Sequence, residues 1–96
     1  MHSKELIYGL AEFFKTFGDP TRLRILDLLL NSSMCVTEIA DKLDVSQSAV
    51  SHQLRTLRAS NLVKADKVGH TVNYSISDEH IEIILKYGIE HIKEKI

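Results

Sequence analysis

Two groups of side chains in this 96-residue sequence have the types and spacing to do chemistry. The first lies near the C-terminus, as Asp78-Glu79-His80 and then His91-Ile92-Lys93-Glu94. Asp78, His80, His91 and Glu94 are nitrogen and oxygen donors of the kind zinc accepts. On one helix, His80 and His91 would stand roughly 16 Å apart at 1.5 Å per residue. Zinc holds its ligands at about 2.0 to 2.2 Å, so one copy of the helix cannot close a site. Two antiparallel copies can. His80, Ile84, Tyr87, His91 and Glu94 recur at alternating steps of four and three, the spacing of a helix-packing seam. A two-fold axis near Lys86-Tyr87 then brings Asp78 and His80 of one chain to His91 and Glu94 of the other, so a dimer carries a pair of four-ligand sites. Four protein ligands leave no open position, which suits a structural or sensing metal rather than a catalytic one. Plainer roles fit the same residues: Asp78 as an N-cap, His80 as a first-turn polar residue, His91 and Glu94 as an exposed i, i+3 pair. Spacing alone does not choose between them.

The second group is Gln47, Ser48, Ser51, His52, Arg55 and Arg58. At 100° per residue they occupy one side of a helix within roughly 140°, opposite Val50, Leu54 and Leu57. Gln can pair bidentately with adenine and Arg with guanine, while small serines let a helix sit deep in a major groove. No carboxylate on this face repels phosphate. Lys67 and His70, flanking Gly69, could lie on the adjacent backbone or minor groove. A merely solvated face is the alternative. The short helix and turn before it and the basic hairpin after it weigh against that. Ser51 and His52 are neighbours on a helix, so their side chains diverge and make no nucleophile–base pair. Nothing here reads as an enzyme.

These groups must be positioned by helices and one hairpin. Leu6, Leu10, Phe13 and Phe17 form an amphipathic stripe that Gly18 ends. Asp19-Pro20 opens a second helix with Leu23, Ile25, Leu26, Leu29 and Leu30 on its buried side. Thr37 to Leu43 is a short helix with Ile39, Ala40 and Leu43 inward, and Glu38 and Asp41 suit its positive end. Asp44-Val45 turns the chain, and Ser46 caps a reading helix over about 46–60. The runs Leu62–Val68 and Thr71–Ile76 predict a hairpin wing over about 62–76, with Val72, Tyr74 and Ile76 facing inward by alternation. Ser77 or Asp78 caps a last helix over about 78–95. The expected fold is mostly α with a small β-hairpin wing. It is a winged helix-turn-helix over residues 1–96, a single domain, with extra N- and C-terminal helices forming a dimer interface.

Composition sets the outer bounds. Twelve Lys and Arg against thirteen Asp and Glu give a net charge of −1, which excludes a broad non-specific nucleic-acid coat. The charge is unevenly placed. Val45 to Ala65 carries Arg55, Arg58 and Lys64 and no acid, whereas the segment from Ile76 onward is acidic. No apolar run reaches the roughly 18 to 20 residues of a membrane span, and the N-terminus lacks a signal-like stretch. One cysteine, Cys35, makes no internal disulfide, which fits a reducing cytoplasm.

Three stretches carry a family resemblance: Phe17-Gly18-Asp19-Pro20-Thr21-Arg22-Leu23-Arg24-Ile25-Leu26, Cys35-Val36-Thr37-Glu38-Ile39-Ala40, and Val45-Ser46-Gln47-Ser48-Ala49-Val50-Ser51-His52-Gln53-Leu54. Together they closely resemble the ArsR/SmtB family of metal-responsive repressors over nearly the whole chain. Asp78-x-His80 with His91-x-x-Glu94 is similar to the C-terminal-helix zinc site of its zinc-sensing branch. The resemblance implies a homodimer on an inverted-repeat, double-stranded operator, released when metal binds. It also implies that the histidine matching His91 bonds the carbonyl ending the reading helix, at about Asn61, linking site to reader. Zinc is the implied ion, with cobalt as a substitute. The alternative is a regulator of the same type answering to cobalt, nickel, cadmium or a non-metal signal. Arsenic and cadmium sensors in the family use clustered thiols, and Cys35 alone cannot make such a site. Cys35 is expected to be a small buried apolar residue. A second site joining it to Asp41 or His2 stays open at this point.

Overall fold

The computed structural model describes residues 1–96, in the order α1 (Lys4–Phe17), α2 (Pro20–Leu29), α3 (Val36–Leu43), α4 (Gln47–Ala59), β1 (Val63–Val68), β2 (Thr71–Ile76) and α5 (Glu79–Lys93). This is the winged helix-turn-helix that the sequence predicts, mostly helical with one two-stranded antiparallel hairpin. Four helices start at capping side chains. Ser3 accepts from the Leu6 N–H, Asp19 from Arg22, Ser46 from Ala49 and Asp78 from Ile81. At the start of α3 the Glu38 carboxylate accepts the Cys35 N–H at 3.1 Å. That bond holds the Glu38 carboxyl below its ordinary value. The contribution is therefore present above the unfolded carboxyl value and is lost as pH falls through the lowered folded one.

The two helices of the helix-turn-helix end alike, at a short polar residue in the left-handed region. Asp44 has φ 55° and Asn61 has φ 60°, a conformation that Asp and Asn tolerate better than most residues. After Asn61, the Leu62 N–H reaches back to the Leu57 carbonyl and the Asn61 N–H to Arg58, a Schellman closure of α4. Leu62, fully buried, anchors that corner. Two arginines staple the elements before it. Arg22 Nε donates to the Thr16 carbonyl at 2.8 Å, and Arg24 donates to the Leu43 carbonyl at 3.4 Å.

Every fully buried side chain is apolar, and the core runs through Ile25, Leu26, Ile39, Val50, Leu54, Leu57 and Leu62. Leu23 departs from expectation. It is 41% exposed, because it looks into a groove between α1 and α5 rather than into the core. That groove, about 530 Å³, is lined by Phe14, Phe17, Ile84, Ile89 and Ile92 as well. The hairpin runs in register from Val63 opposite Ile76 to Val68 opposite Thr71. Gly69 sits at the first turn position with φ +65°, as a two-residue type II′ connection requires. The expected inward alternation of β2 is not realised. Val72 is exposed, while Asn73 through Ile76 are all half-buried. The wing tip stands free of the body, and only its base is covered, where Met34 pairs with Tyr74 through both backbone bonds, at 3.0 and 2.8 Å.

The terminal helices are thinly attached. α1 buries only Phe17, and α5 buries only Ile81 and Leu85. Leu6, Ile7, Leu10 and Phe14 of α1 and Ile83, Tyr87 and Ile92 of α5 remain exposed. The radius of gyration, 14.2 Å, exceeds the roughly 12.5 Å of a compact domain of this length.

Candidate nucleic-acid interface and metal ligands

The α4 face is built by its underside. Val50, Leu54 and Leu57 are buried, which fixes the helix rotation and turns Gln47, Ser48, Ser51, His52, Arg55 and Arg58 outward. All six are exposed, and none of their side chains is held in an intramolecular hydrogen bond or ion pair. Lys67 and His70 are exposed at the wing. Asp66 neighbours Lys67 in sequence but points to the other side of the strand. Between reading helix and wing runs a groove of about 650 Å³ lined by Ser51, Arg55, Arg58 and Tyr74. Tyr74 was not legible as part of this surface. Its strand position marks it as a core-facing aromatic, yet it lines this groove beside the arginines while its backbone pairs with Ala65 and Met34.

The metal-type donors sit at the two ends of α5. Asp78 is the N-cap, and its Oδ1 accepts the Ile81 N–H at 3.2 Å. The same oxygen lies 3.5 Å from His80 Nδ1, with the side chains 55% and 89% exposed. Capping occupies one oxygen, so the N-cap role and a ligand role through Oδ2 are compatible. His91 lies in the last turn and Glu94 is the C-cap residue. No group of three or more His, Cys, Asp or Glu side chains within one chain is arranged to hold a metal. Cys35 is half-buried as the N-cap residue of α3, not a buried core residue. Its backbone must stay near the surface to start that helix. It belongs, with His2 or Asp41, to no group of three or more such side chains within one chain.

Asn61 brings reader and α5 together. Its carbonyl accepts the Ser77 hydroxyl at 2.7 Å, and the Ser77 N–H donates to the Leu62 carbonyl at 3.1 Å. One residue earlier, the Ser60 hydroxyl lies 3.4 Å from the Thr16 hydroxyl of α1. Ser77, read from sequence only as an alternative helix cap, instead ties the start of α5 to the end of α4. Its place next to Asp78 was visible, but its partner sixteen residues away was not.

Comparison with known proteins shows relatives of the same fold. The model of the bacterial regulatory proteins of the arsR family matches residues 19–65. The chain is 44% identical over 85 residues to the transcriptional repressor SmtB homolog of Synechocystis, covering 88% of this chain and 64% of that protein's length. It is 34% identical to the cadmium resistance transcriptional regulatory protein CadC homolog of Staphylococcus aureus, covering 96% of this chain and 77% of that one. Among solved structures, the homodimeric winged helix-turn-helix DNA-binding domain Mb0332 of Mycobacterium bovis superposes with a TM-score of 0.90 at 26% identity, covering 98% and 90% of the two chains.

Proposed function

Since the chain belongs to the ArsR family of bacterial regulatory proteins, we propose that it is a homodimeric, metal-sensing transcriptional repressor of the cytoplasm, with zinc as its ion. The observation that carries the metal reading is the separation of two donor pairs, Asp78 with His80 and His91 with Glu94, to opposite ends of α5. Each pair is too small a set by itself, and a second copy supplies the other half. Imidazole nitrogen and carboxylate oxygen suit zinc, and cobalt fits the same set. Bound metal would supply a cross-link between two α5 helices. Asp78 and His80 would hold it from one chain, His91 and Glu94 from the other, and Asn61 would receive the change at the end of the reading helix.

Gln47, Ser48, Ser51, His52, Arg55 and Arg58 would face the major groove of an inverted-repeat operator, with Lys67 and His70 on the flanking backbone. Arg55→Ala should lose about 1 to 3 kcal/mol of operator affinity with relaxed specificity at one position. Lys67→Ala should weaken all sequences alike and reduce the salt slope. Equilibrium titration of labelled operator DNA measures both, and unchanged affinity for a folded Arg55→Ala dimer removes this placement.

The deciding experiment is operator binding with and without zinc. Zinc should weaken it, and operator DNA should weaken zinc binding by the same factor. His80→Ala and His91→Ala should each fold, dimerise and bind operator, yet stay bound when zinc is added. Cobalt substitution then reads coordination geometry from its absorption spectrum, a four-coordinate spectrum being expected. Tighter operator binding with zinc would sink the derepression reading.

A further inference from the structure

We propose that Ser77 is a positioning residue that couples the start of α5 to the end of the reading helix. This rests on the metal reading above. Three bonds meet at this point. The Ser77 hydroxyl donates to the Asn61 carbonyl at 2.7 Å, the ordinary length of a well-formed O–H···O bond. The Ser77 N–H donates to the Leu62 carbonyl at 3.1 Å. The next residue, Asp78, caps α5 and lies against His80. Asn61 is the left-handed residue of the Schellman closure, so its carbonyl direction is fixed by the end of α4 rather than by a flexible loop. No free residue therefore stands between the donor pair at the head of α5 and the corner where the reading helix stops. A displacement of Asp78 and His80 must either move that corner or break the Ser77 bond.

The backbone bond to Leu62 is available to alanine and threonine at position 77 as it is to serine, so removing the hydroxyl isolates the link without removing the element. Ser77→Ala and Ser77→Thr are compared with wild type as full-length dimers. Operator affinity is measured with and without saturating zinc, and zinc affinity of DNA-free protein by chelator competition. Ser77→Ala should keep wild-type zinc affinity and zinc-free operator affinity within about twofold. The factor by which zinc weakens operator binding should shrink on the order of five- to tenfold. Ser77→Thr, which keeps the hydroxyl, should restore it. In metal-free Ser77→Ala, amide hydrogen exchange should quicken at Leu62 and Ile81 and not elsewhere.

A wild-type-sized zinc response in Ser77→Ala, or unchanged exchange at those two amides, overturns the coupling role while leaving the metal reading intact. General loss of both affinities that threonine does not rescue also overturns it, because that is the mark of a purely structural residue. If zinc binds wild-type protein but leaves operator affinity unchanged, the sensing reading fails, and the coupling role fails with it.

Discussion

A mixed dimer of two complementary variants should bind one zinc tightly where wild type binds two. One chain carries Asp78→Ala and His80→Ala, and the other carries His91→Ala and Glu94→Ala. Each variant homodimer lacks half of both sites and should bind none. In the mixed dimer, the second chain still offers Asp78 and His80, and the first still offers His91 and Glu94. One site is whole and the other has lost all four ligands. A site closed within a single chain would give zero in the mixture. The structure makes that alternative hard to build, since the donors occupy the N-cap and C-terminal turn of one continuous helix. A differentially tagged heterodimer, purified and titrated against a chelator, reads the count directly.

The second large effect concerns the uncovered apolar surface. Leu10→Glu on α1 should convert the protein to monomers and weaken operator binding by about 10² to 10⁴, the advantage lost when two half-sites are no longer engaged by one linked molecule. Leu10 is 46% exposed in the single chain, so the charge should not disturb the core. Phe14, Leu23, Ile84 and Ile92 line one open apolar groove between α1 and α5, and a contiguous apolar patch is the mark of a surface that a partner covers. Sedimentation gives the mass and anisotropy the affinity. A variant that stays dimeric at low micromolar concentration removes α1 from the interface.

Some of this was readable from residue order because local rules agreed with the fold. Asp19-Pro20 and Ser46 stand where caps must stand, and Val50, Leu54 and Leu57 fix the rotation of α4, so its exposed face followed at once. The departures have physical reasons. Leu23 carries the periodicity of a core residue, yet it lines the open groove facing α5. Periodicity reports a buried face without saying which chain buries it. Cys35 is of a residue type usually buried, but here it starts a helix at the surface. The alternation of β2 failed because a wing that projects from the body has little to pack against at its tip. Tyr74 and Ser77 matter through partners distant in sequence, Met34 and Asn61. No pattern along the chain signals such pairs. The four metal-type donors are legible as a spacing, and the reason they do not meet in one chain is legible from helix rise alone.

The thin attachment of α1 and α5 ties folding to abundance. Because these helices bury so little on their own chain, a dimer would complete their burial, and mass action then enters the stability itself. Each tenfold increase in protein concentration should add about 1.4 kcal/mol per mole of dimer to the folded, assembled state. The melting temperature should climb with concentration instead of standing fixed. A newly made chain, scarce and unpaired, would be the form most open to proteases, and accumulation past the pairing threshold would itself lengthen its lifetime.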